Sequence, residues 1–235
     1  MEIRSVHNQF IKDVAKLSQK KYRDQQKLFL VEGYHLYEEA KKSNIIKHVL
    51  TTDKNIEGNN VVYVTEQIIK KISNNPSAQS VVTVCENKFS QVVTDKVLIL
   101  EKLQDPGNLG TLLRSALAFG FKTIVLDNCV DYLNPKVLRS TQGAIFKLSI
   151  IKQDTLTFIN ENNDYEIYGT ALNGTALSSL KPAKKVALIL GNEGQGLSSK
   201  VMGKTTVNIT IPIEEIESLN VSVAGSIIMH FVSSI

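Results

Sequence analysis

Val186-Ala187-Leu188-Ile189-Leu190-Gly191-Asn192-Glu193-Gly194-Gln195-Gly196 is the stretch on which the fold turns. Five apolar residues end abruptly in a glycine-rich loop. A short apolar run closed by a turn signal reads as a buried strand. Similar short, β-branched runs recur along the chain and alternate with helical patterns, which argues a parallel sheet covered on both faces. The loop has the pattern G-x-x-G-x-G. It is not the dinucleotide G-x-G-x-x-G, and no G-K-[ST] follows, so a P-loop is excluded. Glycines let a ligand approach the backbone closely, yet Glu193 would repel a phosphate beside it. A plain strand-to-helix turn, with Leu197-Ser198-Ser199 opening the next helix, fits the same residues.

On the C-terminal side of residue 96, strands are expected at 97–100, 123–126, 144–150, 166–171, 186–190 and 207–211. Helices are expected at 109–119, 134–140, 155–162 and about 221–232, with Asp105-Pro106-Gly107-Asn108 as a turn. On the N-terminal side, 8–27 reads as one helix, with Ile11, Val14 and Leu17 on one face and Lys12, Lys16 and Lys20 on another. Strands follow at 29–31, 46–50, 61–64 and 81–85. Helices follow at 34–42 and 65–72, the latter capped by Thr65. The polar stretch 86–95 lacks periodicity and reads as a linker. The expected domains are therefore 1–90 and 96–235.

Hydrophobic residues make up 43% of the 235, enough for a sizeable core. The net charge is +4, and its distribution is uneven: residues 1–96 hold 15 Lys+Arg against 11 Asp+Glu, while residues 97–235 hold 12 of each. A basic N-terminal part suits an anionic macromolecule, and it also suits a solvated helix face. Cys85 and Cys129 form no CxxC and lie near no paired histidines, so neither a zinc site nor a disulfide framework is expected, and a cytoplasmic setting fits. The N-terminus has no apolar signal core, and no run of about 18 apolar residues exists to span a membrane.

Three segments after residue 96 combine polar residues with special backbone chemistry. The first is Gln104 to Arg114, a strand end, a turn and a helix opening that place Asn108 and Arg114 where α/β sheets bind ligands. The second is the glycine loop. The third is Ile211-Pro212, then Ser218-Leu219-Asn220-Val221-Ser222-Val223-Ala224, where small residues open a helix. Each alone also fits ordinary packing. His7, His35, His48 and His230 belong to none of these segments, and Glu214, Glu215 and Glu217 read as a solvated acidic rim.

Together and in this order, the three segments resemble the SpoU (TrmH-like) RNA ribose methyltransferases of the SPOUT superfamily. Asn108-Leu109-Gly110 with Arg114 matches the N-x-G-x-x-x-R motif, Gly191 to Gly196 the G-x-E-G-x-G motif, and Ile211-Pro212 with Ser218 to Ala224 the I-P and S-L-N-V-S-x-A motifs. Phe29-Leu30-Val31-Glu32-Gly33 is similar, more loosely, to the substrate-binding domain often fused to that family. The resemblance implies an α/β chain: a C-terminal parallel-sheet domain with a deep trefoil knot, preceded by a smaller α/β substrate-binding domain. It implies a homodimer, with the apolar Ile227-Ile228-Met229 and Phe231-Val232 helix as a possible interface. It implies S-adenosyl-L-methionine as cofactor, held by Thr170, Ala171, Gly191, Asn192, Gly194, Ile211 and Leu219. The reaction would be methyl transfer to a ribose 2′-hydroxyl without a metal. Arg114 is the leading catalytic candidate, as proton acceptor or phosphate holder, and Asn108, Glu193, Ser218 and Asn220 would orient the ribose, its neighbour or Arg114. Structured RNA, ribosomal rather than transfer RNA, would be gripped by Lys12, Lys16, Lys20, Lys21, Arg23 and Lys27. The rival readings are an inactive RNA-binding relative and a nucleotide-dependent enzyme of ordinary doubly wound fold.

Overall fold

A computed structural model describes residues 1–73 and 79–234. The chain divides into two compact units: Met1–Lys88 with Leu133–Phe146, and Phe89–Tyr132 with Lys147–Ile235. The first unit opens with β1 (Glu2–Ile3), α1 (Gln9–Lys16), α2 (Lys20–Gln26), β2 (Leu28–Glu32), α3 (Tyr34–Lys42), β3 (Ile46–Thr51), β4 (Val61–Val64), α4 (Glu66–Ile72) and β5 (Val81–Glu86). Its sheet has the order β1-β4-β3-β5-β2. The strands β1, β4 and β3 are parallel, but β5 runs antiparallel to both β3 and β2. Ile11, Val14 and Leu17 of the first helical segment pack with Leu30, Leu50, Ile68 and Val84 in one core.

The helix expected over 8–27 is two helices. Gln19 is extended (φ −98°, ψ 133°) and breaks the run. Arg23 explains how the break is held: its Nη1 donates to the carbonyls of Leu17 (2.8 Å) and Ser18 (2.7 Å), which the ended helix leaves without partners. At 4% exposure, Arg23 is a buried brace and not the phosphate-contacting residue expected. Lys12, Lys16 and Lys20 therefore do not share one continuous helix face. Thr65 precedes α4, but its side chain makes no cap bond and its hydroxyl is buried without a partner among the described residues.

The second unit begins with β6 (Lys96–Glu101), α5 (Pro106–Ala118) and β7 (Thr123–Asp127). The chain then returns to the first unit for α6 (Pro135–Thr141). There the Gln142 carbonyl pairs with His35 Nε2 at 3.1 Å, and Gly143 lies so close to Glu39 that a β-carbon would meet its Cγ at 2.7 Å. Gln142 and Gly143 both take positive φ (49° and 83°), so the strand expected over 144–150 cannot start there. A 3₁₀ turn, Ala144–Lys147, precedes β8 (Ser149–Lys152) instead. The remaining elements are α7 (Thr155–Glu161), β9 (Glu166–Ala176), β10 (Val186–Leu190), α8 (Ser199–Met202), β11 (Val207–Thr210) and α9 (Val221–Ser233), with a 3₁₀ turn at Leu177–Ser179.

The second sheet has the order β11-β9-β10-β6-β7-β8, with every pairing parallel. All five residues of β10 are buried, as its uninterrupted apolar run required. Alternate residues serve opposite faces. Val97, Ile99, Ala187 and Ile189 pack with Phe158, Ile159 and Val201 of α7 and α8. On the other face Gly225 of α9 sits against Leu190 and Leu112, where an added β-carbon would lie 2.5 and 2.7 Å from their methyls. Close helix approach is what the small residues of the third segment permit. Pro106, Gly107 and Asn108 are the first turn of α5 rather than a loop, because Asp105 is the N-cap and accepts the Asn108 amide at 2.8 Å.

Candidate active site

The C-terminal ends of β6, β9, β10 and β11 lie along one edge of the parallel sheet, where such sheets leave a ligand crevice. Each strand delivers one loop there. After β10, Gly191 is packed against backbone: a β-carbon would lie 2.2 Å from the Gly196 carbonyl carbon and 2.4 Å from the Leu197 nitrogen. Asn192 ties the loop shut. Its main chain exchanges bonds with Gly196 (3.1 and 2.9 Å), its Oδ1 accepts the amides of Gly194 and Gln195, and its Nδ2 donates to the Lys102 carbonyl at 3.0 Å. The β11 pairing with β9 jumps from Asn208–Gly169 to Ile209–Thr175, so Thr170 to Gly174 leave the ladder as an excursion. Thr170 donates to the Ile189 carbonyl at 3.4 Å, and the Leu172 carbonyl accepts Thr210 at 2.9 Å. Ala171, Ile211 and Leu219 are half-buried around these loops, and Gly194 is exposed.

Glu193 is tied to the first motif segment. Its carboxylate accepts the backbone N–H of Asp105 (2.9 Å), that of Gln104 (3.2 Å) and Asn108 Nδ2 (3.3 Å). Burial pushes its pKa up, but these hydrogen bonds together outweigh burial and hold it below the ordinary carboxylate value. The bonds therefore persist at neutral pH and are lost only as the solution is acidified through that lowered pKa. Asn108 Oδ1 accepts Asn220 Nδ2 at 3.0 Å, and Asn220 Oδ1 caps α9 by accepting Ser222 N at 2.9 Å. One residue from each of the three segments thus joins a single chain of hydrogen bonds.

Arg114 lies on the exposed stripe of α5 with Thr111 and Ala118. Among the described residues its guanidinium has no hydrogen-bond or ion-pair partner. The next residue, Ser115, meets Ser226 of α9 hydroxyl to hydroxyl at 2.8 Å. Ser218 is exposed and likewise makes no hydrogen bond among the described residues. Glu101 holds the site without having been expected to: buried at the end of β6, it accepts Ser198 N at 3.0 Å. A carboxylate directly after the apolar run Val97 to Leu100 was the available signal. Lys102 and Thr210 also escaped, because main-chain carbonyls and small hydroxyls carry no sequence signature.

A family model described as the SpoU rRNA Methylase family matches residues 95–230. The chain belongs to the SpoU family. A second model, the MRM3-like substrate binding domain, matches residues 8–83 of this SpoU protein. The 23S rRNA (guanosine(2553)-2′-O)-methyltransferase RlmP of Bacillus subtilis is 36% identical over 242 residues, covering 97% of this chain and 98% of that one. A crystal structure of an AdoMet-bound rRNA methyltransferase from Sinorhizobium meliloti is 27% identical, with a TM-score of 0.88, over 99% of this chain and 97% of that one. AviRb from Streptomyces viridochromogenes, solved with AdoMet, shares the fold at 20% identity, with a TM-score of 0.83 and coverage of 97% and 98%. No described helix is long and apolar enough to cross a membrane. Among the described residues no group of three or more His, Cys, Asp or Glu gathers as a metal site.

Proposed function

We propose that this SpoU protein transfers a methyl group from S-adenosyl-L-methionine to a ribose 2′-hydroxyl of 23S ribosomal RNA. The observation that carries the proposal is the Glu193–Asn108–Asn220 chain, which draws the three motif segments to one sheet edge. The residues there fit the cofactor: backbone groups of Gly191, Asn192 and Gly194, the short side chains of Thr170 and Ala171, and the apolar Ile211 and Leu219 suit an adenosine without phosphates. When bound, S-adenosyl-L-methionine supplies an electrophilic methyl group. Arg114 is the residue left to meet the RNA. A guanidinium stays protonated at neutral pH and holds a phosphate in two-point fashion, so we assign it to the phosphate beside the reacting ribose. Ser218, exposed two residues before Asn220, would contact the same nucleotide.

Support for ribosomal RNA comes from the likeness to RlmP along nearly the whole of both chains. The expected result is the loss of one 2′-O-methyl mark in 23S rRNA from cells lacking the protein, read by mapping ribose methylation across all RNA; unaltered rRNA with a mark lost from tRNA would overturn it. Such a substrate, with both cysteines free thiols, fits a cytoplasmic enzyme. We further infer that residues 96–235 are the catalytic domain and carry the family's trefoil knot. In support, the excursion after Gly169 packs so closely on β11 that a β-carbon on Gly174 would lie 2.3 Å from the Asn208 carbonyl oxygen. A homodimer through α9 is supported by Val223 and Ile227, exposed one turn apart on an apolar helix.

The first unit, residues 1–90 by sequence, would grip the RNA. Lys12, Lys20, Lys21 and Lys27 are exposed, and Lys16 is half-buried. Lys16 and Lys20 are ion-paired, to Asp13 (2.8 Å) and Asp24 (2.5 Å), but such surface pairs are weak and yield to phosphate. Replacing Lys12, Lys20 and Lys21 by glutamine should weaken RNA binding and flatten its salt dependence. Arg23→Ala should instead cost roughly 1–3 kcal/mol of stability, because two carbonyls lose their donor. Denaturant titration beside RNA binding at several salt concentrations checks both, and a salt slope changed only by Arg23→Ala would reverse the assignment.

A further inference from the structure

The hydrogen-bond chain through the site has a direction. At one end stands an ionised carboxylate, Glu193, which only accepts. It cannot face a carbonyl oxygen, so Asn108 must turn its Nδ2 to Glu193 (3.3 Å) and its Oδ1 away. That Oδ1 lies 3.0 Å from the Asn220 amide, which must then present its Nδ2. Asn220 Oδ1 is left facing the Ser222 backbone N–H (2.9 Å), the Ser222 hydroxyl (2.6 Å) and the Val223 N–H (3.4 Å). Backbone N–H groups only donate, so the far end imposes the same orientation as the near end.

The consequence is chemical. Each amide nitrogen carries two hydrogens, and each uses one within the chain. Asn220 Oδ1 already accepts three donors, and Asn108 Oδ1 is turned to Asn220. The pair therefore offers outward N–H donors, and its complement is an oxygen acceptor. It cannot take the proton of a 2′-hydroxyl. We propose that Asn108 and Asn220 form a donor pair for a phosphate oxygen of the RNA, and that Glu193 and Ser222 are the positioning residues that fix its polarity. Ser222 is buried, and its hydroxyl donates to Asn220 Oδ1, so the side chain acts through Asn220. The inference rests on the methyltransferase reading above.

Asn220→Asp tests it. Aspartate caps a helix as well as asparagine does, so α9 keeps its N-cap and the chain keeps its fold. The polarity, however, is broken. The introduced carboxylate meets Asn108 Oδ1, and if Asn108 flips to satisfy it, Asn108 Oδ1 meets Glu193 instead. One clash between acceptors remains in either case.

With total rRNA from cells lacking the protein as substrate and S-adenosyl-L-methionine saturating, the KM for RNA should rise about tenfold or more. Cofactor affinity by calorimetry should hold within about twofold, since the pair contacts RNA. Ser222→Ala should reproduce part of the KM effect and Ser222→Thr should restore it. An unaltered KM in Asn220→Asp would overturn the proposal, and so would a Ser222→Thr protein no better than Ser222→Ala. Loss of cofactor affinity with RNA affinity intact would assign the pair to the cofactor carboxylate and overturn it too. A wild-type protein that methylates none of this RNA would sink the methyltransferase reading, a failure distinct from all of these.

Discussion

Arg114→Ala is expected to lower ribose methylation by about 10²–10³-fold or to abolish it, as for loss of a charged group that stabilises a reacting centre. Cofactor affinity should survive. The reason lies in how Arg114 is placed. Its helix is fixed at the N-terminus by Glu193, whose carboxylate holds the amides of Gln104 and Asp105, and along its length by the Ser115–Ser226 bond to α9. The guanidinium itself touches nothing among the described residues, so its removal leaves the scaffold intact. Arg114→Lys keeps the charge but not the planar fork, and should recover only part of the rate. Single-turnover methylation and calorimetry with S-adenosyl-L-methionine separate the outcomes. A folded Arg114→Ala protein that no longer binds cofactor would move Arg114 into the cofactor site, and full activity would remove it from the mechanism.

The parallel sheet of the second unit was legible because its strands are short apolar runs, and burial on both faces leaves little else for them to be. The first unit was less so. Strand β5 reads the same whether its neighbours run with it or against it, since direction leaves no trace in an apolar run. The break between α1 and α2 was hidden because Ser18 and Gln19 tolerate a helix; the cause is Arg23, a residue that composition assigns to the surface. Asp105-Pro106-Gly107-Asn108 carries turn residues, but an aspartate before a proline is equally the opening of a helix, and the Asn108 amide bonded to Asp105 Oδ1 shows which reading applies.

The site divides along the same line. Which residues gather could be read from the motif order, because each segment begins where a strand ends. What each does could not. Glu193 seemed an obstacle to a ligand loop, and then a group available to face Arg114 or the RNA. Three donors from the first motif segment hold it, and it serves as the latch between two loops. A carboxylate's partners depend on long-range contact, which no local pattern encodes.

Gly191→Ala should have the second large effect, loss of measurable cofactor binding together with roughly 1–3 kcal/mol of stability. The added methyl would lie 2.2 Å from the Gly196 carbonyl carbon and 2.4 Å from both its oxygen and the Leu197 nitrogen. All three are backbone atoms, so no side chain can swing aside. Relief requires opening the Asn192–Gly196 bridge, and with it the bonds that Asn192 makes to Gly194, Gln195 and Lys102. Opening also displaces Glu193, and so the N-terminus of α5. Gly194, in the same loop and next to Glu193, gives the contrast: the nearest atom to its added β-carbon is Asn192 Oδ1 at 3.7 Å, an ordinary contact. Gly194→Ala should therefore melt within about 0.5 kcal/mol of wild type, the range of a surface change. Denaturant unfolding of the two variants beside cofactor calorimetry decides the matter. Equal stability of Gly191→Ala and Gly194→Ala would mean that the loop is not closed as tightly as its backbone contacts require.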